Sequence, residues 1–259
     1  MSDEASSVLA ALRRSHDLLS AATAGLDGPA LRGPSYASEW TIAQVLSHLG
    51  SGAVIGKLNL DAGLADAPFP EMAVFQGVWD VWNAKTPEAQ AADALPADQA
   101  LIDTYAAISA EALTALQLPL GPMKLDGVTM MRLRLAEHAL HTWDVKVALD
   151  PAATVDADAV AQLVDGVGLL IGFLGRPSGD KAVVHVALTG PAREYALTLG
   201  DAVTLAPWDG AISADATLTA PAEAFLRLAY GRLDAAHTPA GISAEGIDLD
   251  TLRAVFPGF

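Results

Sequence analysis

A carboxylate and an imidazole stand four residues apart in EHALH, residues 137–141. If this segment is helical, the side chains of Glu137 and His141 lie one above the other on a single face. His48 occupies the apolar side of a second predicted helix, which begins in EWTIAQVLSHLG (39–50). Burying three such groups costs free energy unless a partner satisfies them. One divalent cation bound by two neutral imidazoles and a carboxylate would do so, and the fourth position that this set leaves open is typical of catalytic zinc.

The residues alone leave other interpretations open. A glutamate and a histidine four apart on a helix are common by chance, and a lone histidine on an apolar face is usually a satisfied core residue. His138 is turned about 100° from Glu137 on the same helix, which favours a solvent or packing role, although it is the obvious substitute ligand. Asp144 either orients the ring of His141 through a hydrogen bond or is a surface acid. His16 is predicted to lie at the boundary of the core.

Helices must position these side chains, and the first half of the chain is predicted to be helical. Long helices are predicted over about residues 4–25, from residue 41 onward, and over 96–118 and 127–149. Apolar residues at helical spacing over 70–86 predict a short packing element. The helix that carries His48 begins at a capping box formed by Thr41 and Gln44, with Trp40 packing on Val45. The helix at 96–118 is expected to have a proline in its first turn. Four long helices joined by loops indicate a bundle.

The character of the sequence changes after DPAATVDAD (150–158), which has the composition of a domain boundary. An apolar helix is predicted at 157–175. Its short length and the presence of Asp165 favour a buried helix over a membrane span.

The second half of the chain is predicted to combine a sheet with helices. Strand-like runs at 181–190, 193–201, 202–208 and 211–220 predict an antiparallel sheet. Further helices are predicted at 221–233 and near the C-terminus. The expected fold class is α+β, with a helical domain over residues 1–152 and a smaller α/β domain over residues 153–259.

The composition narrows the range of partners. The formal net charge of −16 repels a nucleic-acid backbone and an anionic membrane surface, so neither is expected as a partner. The chain contains no cysteine, which excludes disulfides, thiolate ligands and a cysteine nucleophile. The N-terminal residues lack the features of a secretory signal, and a cytoplasmic location is expected.

Two segments resemble a known family. WTIAQVLSHL (40–49) and EHALHTWDV (137–145) are similar to motifs of the mycothiol-dependent maleylpyruvate isomerase family, part of the DinB-like superfamily of metal-binding four-helix bundles. LTGPAREYALTLG and LRLAYGRL resemble the family's smaller C-terminal domain, so the resemblance covers nearly the whole chain. It implies a DinB-like bundle followed by an α/β domain. It also implies that His48, Glu137 and His141 hold a zinc ion or another divalent cation.

The resemblance further implies mycothiol, the low-molecular-weight thiol of actinobacteria, as a cosubstrate. A metal-bound thiol would lose its proton and could attack an electrophilic carbon. In an isomerase acting on a cis-enoic acid of the maleylpyruvate type the sulfur leaves again, and in an S-transferase it stays on the electrophile. Arg232 matches an arginine that the family places at its domain cleft and is the expected catalytic cation, with ordinary surface charge as the alternative for it and for Arg227.

A non-enzymatic function is the other class that the sequence leaves open. The C-terminal half also resembles sterol-carrier-like folds, which would bind a small apolar ligand without needing a catalytic metal. Turnover that requires both metal and thiol would indicate the enzyme instead. The sequence is compatible with a monomer or a homodimer.

Overall fold

The computed structural model describes residues 3–37 and 39–258, and the chain divides into two compact units. One unit extends to Ala159 and the other begins at Val160. The boundary proposed from the sequence, between residues 152 and 153, lies in the loop before the helix that starts at Ala157.

The first unit is built on four long helices. Its elements are α1 (Asp3–Thr23), α2 (Gly28–Leu31), α3 (Ile42–Leu64), α4 (Met72–Asn83), α5 (Pro87–Ala107), α6 (Ala110–Ala115), the hairpin strands β1 (Leu118–Leu120) and β2 (Met123–Leu125), and α7 (Gly127–Leu149). Helix α1 packs against α5 and α7, and α3 packs against the same two helices. The predicted bundle is therefore confirmed.

Two helices of the bundle begin where the sequence predicted. Thr41 accepts a hydrogen bond from the Gln44 backbone, and the Gln44 side chain accepts one from the Thr41 backbone, so the capping box that starts α3 is confirmed. Asp126 caps α7 by accepting from the backbone N–H groups of Val128 and Thr129. These caps fix the first turns of the two helices that carry His48, Glu137 and His141.

The helix predicted at 96–118 is wrong at both ends. Helix α5 starts at Pro87, where Thr86 provides the cap by accepting from the Ala89 backbone, so Pro96 lies inside the helix and not in its first turn. Pro96 is on the solvent side, as is Ala92, so the carbonyl that the proline leaves unpaired faces water. The helix ends at Ala107, and the residues up to 118 form α6 and the start of β1.

Apolar side chains from the four long helices fill the centre of this unit. Trp82 of α4 adds to this core, and Gly50 makes room for it, because a Cβ at residue 50 would collide with the indole ring. Trp79 is half-buried. The largest buried side chains of the bundle include Leu9, Leu12, Leu19, Leu46, Leu49, Leu101, Ile102 and Trp143.

The remaining elements form a five-stranded sheet with helices. They are α8 (Ala157–Leu163), α9 (Val167–Leu174), β3 (Ala182–Thr189), β4 (Arg193–Leu199), β5 (Thr204–Pro207), β6 (Ala216–Pro221), α10 (Ala222–Ala229), β7 (Ser243–Glu245) and α11 (Leu249–Val255). The strand order is β5-β4-β3-β6-β7, antiparallel except for the parallel pair β3 and β6. Helices α9 and α10 pack against strands of this sheet. The α+β class is confirmed, and the sheet is mixed where an antiparallel one was predicted.

The single helix predicted at 157–175 is also wrong. The chain breaks between α8 and α9, at a turn that contains Asp165 and Gly166, and the two short helices meet at 82°. Within the described residues, neither helix has the length and hydropathy of a membrane span by itself, and the pair reaches that threshold in length and composition only when the two are joined across the bend.

Candidate metal centre

His48 is presented by α3, two turns after the capping box. Its side chain is 36% exposed, although the neighbouring residues Ser47 and Leu49 are buried. The indole of Trp40, just before the cap, lies 4.9 Å from the His48 ring and 5.8 Å from the His141 ring, measured between ring centroids. Trp40 therefore borders the position that both imidazoles face, in addition to packing on the core cluster that contains Val45.

Glu137 and His141 are presented one turn apart by α7. Glu137 is 49% exposed, whereas His141 is largely buried. Nδ1 of His141 donates to Oδ2 of the fully buried Asp144 at 2.8 Å. This bond fixes the ring orientation and favours the tautomer with the proton on Nδ1, in which Nε2 is the unprotonated nitrogen. A buried carboxylate behind a histidine is the arrangement that metal-binding imidazoles usually have.

The three side chains converge on one point; we call His48, Glu137 and His141 the half-exposed cluster. Oε2 of Glu137 lies 3.1 Å from Nε2 of His48 and 3.7 Å from Nε2 of His141. All three ligand atoms are within 4.8 Å of one another. The two ring centroids are 4.7 Å apart, close to the separation of about 5 Å expected for two imidazoles bound to one tetrahedral zinc ion. The residues present therefore fit a divalent cation.

The charge state of Glu137 suits the same role. Desolvation raises the pKa of Glu137, but the hydrogen bond with His48 and the coulombic interactions with His141, His48 and Arg134 outweigh it and lower the pKa to about 2. The carboxylate is therefore ionised at neutral pH, as a metal ligand must be.

Comparison with known proteins decides the family. The family model described as the mycothiol maleylpyruvate isomerase N-terminal domain matches residues 12–146, which include the whole half-exposed cluster. This chain belongs to the mycothiol maleylpyruvate isomerase family. The match covers more than half of the sequence and ends within α7.

Solved structures show the same fold over both halves of the chain. The crystal structure of the mycothiol-dependent maleylpyruvate isomerase and that of a histidine-to-alanine mutant of it each align with a TM-score of 0.69 at 12% sequence identity. Each alignment covers 93% of this chain and 92% of the other. No curated protein sequence matches this chain. Membership of the isomerase family supports an enzymatic role that involves mycothiol and a small-molecule substrate.

The two arginines of LRLAYGRL, Arg227 and Arg232, differ in burial and in their contacts. Arg227 is 3% exposed, pairs with Glu223 and donates to the backbone carbonyls of Arg232 and His237, so it holds the turn after α10 together and is not a surface charge. Arg232 lies in that turn, is half-buried and donates from Nη1 to the carbonyl of Tyr230. Both belong to the unit that begins at Val160.

A second histidine–carboxylate group, which the sequence analysis did not identify, lies elsewhere in the bundle of this isomerase-family chain. It consists of His16, Asp98 and His138, and we call it the buried cluster. Oδ2 of Asp98 lies 2.8 Å from Nδ1 of His16 and 3.0 Å from Nε2 of His138. His138 is fully buried, which fits the packing role and not the solvent role that the sequence left open. Nδ1 of its ring is in hydrogen-bond contact with the hydroxyl groups of Ser15 and Thr142.

Electrostatics distinguish the members of the buried cluster. Burial raises the pKa of Asp98, but His138, His16 and Arg134 outweigh it and hold the pKa well below its usual value. Burial lowers the pKa of His138, so its ring favours the neutral form. The hydrogen bond to Asp98 raises the pKa of His16. Asp98 is thus a buried anion that neighbouring donors and cations stabilise.

Proposed function

We propose that this chain is a metal-dependent enzyme that activates the thiol of mycothiol, either for the isomerisation of a cis-enoic acid of the maleylpyruvate type or for S-transfer to an electrophile. The observation that carries the proposal is the convergence of His48, Glu137 and His141 in a member of this family. Two neutral imidazoles and one carboxylate would hold the cation and leave a position open for an exogenous ligand.

The residues around the half-exposed cluster support thiol chemistry. The chain has no cysteine, so the reacting sulfur must come from the cosubstrate. A divalent cation bound there would lower the pKa of an incoming thiol and favour its thiolate at neutral pH. Asp144 keeps His141 in the tautomer that offers Nε2, and Glu137 contributes the one negative charge of the donor set. The partial exposure of His48 and Glu137 gives a small molecule access to this position.

The proposal assigns Arg232 as the cation that binds a substrate carboxylate, on the basis of the match of AYGRL to the family. A guanidinium suits this role because it can donate two parallel hydrogen bonds to a carboxylate. Arg232→Met is expected to raise KM for an acidic substrate about 10-fold or more while leaving metal content unchanged. An unchanged KM would remove Arg232 from the site.

Activity measurements with and without both cofactors test the proposal. The purified protein, loaded with zinc or stripped with a chelator, is assayed against cis-enoic acids and electrophiles in the presence and absence of mycothiol. Turnover that requires both metal and mycothiol is the expected result. A change in double-bond geometry without net thiol consumption identifies the isomerase, and a stable thioether identifies the transferase. Binding of apolar ligands that does not change when the metal is removed, without any turnover, would instead indicate the sterol-carrier-like function.

A further inference from the structure

The buried cluster is connected to the half-exposed cluster through Arg134. Nη2 of Arg134 donates to Oδ1 of Asp98 at 2.7 Å, while Oδ2 of Asp98 faces His16 and His138. The carboxylate, 2% exposed, thus joins α5 to α1 and α7. Since ionised groups are costly to bury, these partners are needed to keep Asp98 charged inside the bundle.

Arg134 also reaches the third helix of the site. The same Nη2 atom donates to the backbone carbonyl of Leu49 at 2.9 Å, and Leu49 follows His48 directly on α3. Gly52, one turn further on, leaves space for the guanidinium, because a Cβ there would lie 3.2 Å from Nη1 of Arg134. Arg134 therefore binds α3 at the level of the metal ligand, one turn before Glu137 on α7.

We propose that Asp98 and Arg134 form a positioning pair that sets the separation of His48 from Glu137 and His141, and thereby the affinity and geometry of the metal centre. This inference rests on the proposed metal-dependent function. Asp98 holds the guanidinium of Arg134 in place, and Arg134 fixes the backbone of α3 beside His48. Neither residue belongs to the donor set, so both act through the ligands.

The geometry of the buried cluster favours this role over a second metal site. The ring centroids of His16 and His138 are 6.4 Å apart, wider than the separation of about 5 Å expected for two imidazoles on one tetrahedral ion. Nδ1 of His16 makes a direct hydrogen bond to Oδ2 of Asp98. Arg134 adds a positive charge on the other carboxylate oxygen, which disfavours a cation nearby. Nε2 of the buried His138 lies 3.0 Å from the same Oδ2 atom.

A merely structural ion pair would change the stability of the bundle but not the coordination of the metal. The test therefore measures coordination in the folded full-length protein. Asp98→Asn is compared with Asp93→Asn, which removes an exposed carboxylate of the same helix that pairs with Lys85. Each protein is titrated with Zn²⁺ against a competing chelator and with Co²⁺, whose visible absorption reports ligand geometry. Circular dichroism and thermal unfolding of the metal-free proteins report folding separately.

We expect Asp98→Asn to bind Zn²⁺ about 10- to 100-fold more weakly and to shift the Co²⁺ absorption bands, as loss of groups that orient metal ligands does. Asp93→Asn should match the wild type. A folded Asp98→Asn protein with wild-type affinity and spectrum would overturn the inference. If Asp98→Asn does not fold, Arg134→Lys is the deciding variant. It keeps the charge, but its side chain is one atom shorter, so its ammonium does not reach Asp98 and Leu49 as Nη2 of Arg134 does. Wild-type metal binding in Arg134→Lys would overturn the inference as well.

Two further outcomes separate this inference from the proposed function. A wild-type protein that binds no divalent cation would overturn both. Uptake of two equivalents, falling to one in His16→Ala, would overturn the positioning role alone, because the buried cluster would then be a metal site itself.

Discussion

The half-exposed cluster and the buried cluster contain the same residue types, two histidines and one carboxylate, in the same bundle. In the first, the carboxylate of Glu137 is 49% exposed and the ring centroids of the two imidazoles lie 4.7 Å apart. In the second, Asp98 is 2% exposed and its imidazoles are 6.4 Å apart. Residue composition alone therefore does not decide which cluster binds an ion. The features that favour ion binding are access from solvent and the convergence of ligand lone pairs.

The two carboxylates also differ in the charges that surround them. Asp98 faces a guanidinium and two imidazoles inside the core, so its negative charge is already balanced. Glu137 shares one oxygen between His48 and His141 at an open position. Removing one partner of a balanced buried carboxylate destabilises the fold, whereas an accessible carboxylate beside two imidazoles can accept a cation.

We expect the largest loss of zinc affinity when a ligand of the half-exposed cluster is removed. His48→Ala removes one of three donors, and we expect zinc affinity to fall about 1,000-fold or more, which corresponds to about 4 kcal/mol. The bundle should stay folded because His48 is partly exposed. Zinc content after gel filtration and circular dichroism check these outcomes. His237→Ala, in a loop of the C-terminal half, is the control, and an unchanged zinc stoichiometry in His48→Ala would remove His48 from the site.

For the buried cluster we predict an effect on stability that depends on pH. Asp98→Asn should lower the free energy of unfolding of the metal-free protein by about 3–5 kcal/mol at neutral pH, because Arg134 loses its buried partner. The pKa of Asp98 is lower in the folded state than its usual 3.8, so its stabilisation is fully present above about pH 5 and is lost as the pH falls below 3.8. Urea unfolding of both proteins from pH 7 to pH 2.5 measures how the free energy of unfolding depends on pH.

The difference in free energy of unfolding between the wild type and Asp98→Asn should therefore fall by about 1.4 kcal/mol for each pH unit below 3.8. Asp93→Asn, which removes an exposed carboxylate, should follow the wild-type curve. A gap that stays constant over the acid range would show that the Asp98 carboxylate is not selectively stabilised by folding.

A smaller effect is expected from the group that orients a ligand. Asp144→Asn keeps the size of the side chain but weakens its bond to Nδ1 of His141, and we expect about 10- to 100-fold weaker zinc binding, or about 1.4–2.7 kcal/mol. Competition titration with a chelator measures it. Asp61→Asn, an exposed acid on α3 that pairs with Lys57, is the matched control. Equal affinities for the two variants would mean that Asp144 does not orient the ligand.

The smallest effect tests the contact between Arg134 and α3. Gly52→Ala and Gly56→Ala both place a Cβ 3.2 Å from a side chain, that of Arg134 in the first case and that of Leu101 in the second. Both should gain up to about 1 kcal/mol in helix propensity. We expect a few-fold weaker zinc binding for Gly52→Ala alone. Equal zinc affinities of the two variants, measured in one competition series, would argue against a role of this contact at the metal centre.

Local sequence patterns predicted the half-exposed cluster but not the buried cluster. Glu137 and His141 are four residues apart on a helix that the sequence predicted at 127–149, and the capping box before His48 is a local pattern as well. The sequence does not single out Asp98, because Pro96 predicts the first turn of a helix there, where an acid is ordinary. With the true start at Pro87, Asp98 falls on the buried face, among apolar residues one turn to either side.

Contacts between distant parts of the chain could also not be predicted from the sequence. The parallel pairing of β3 with β6 requires a crossover around two intervening strands, and alternation within each strand does not reveal its direction. Likewise, the bond of Arg134 to the carbonyl of Leu49 joins two helices and leaves no periodic signal. The sequence also does not reveal the break between α8 and α9, because apolar residues continue on both sides of Gly166.

The most direct test of the central claim is the location of the metal itself. Crystals of the zinc-loaded protein, measured on both sides of the zinc absorption edge, give an anomalous difference map of bound zinc. The account predicts one peak per chain, about 2.0–2.2 Å from Nε2 of His48, Nε2 of His141 and a carboxylate oxygen of Glu137. A peak between His16, Asp98 and His138, or no peak at the half-exposed cluster, would contradict it.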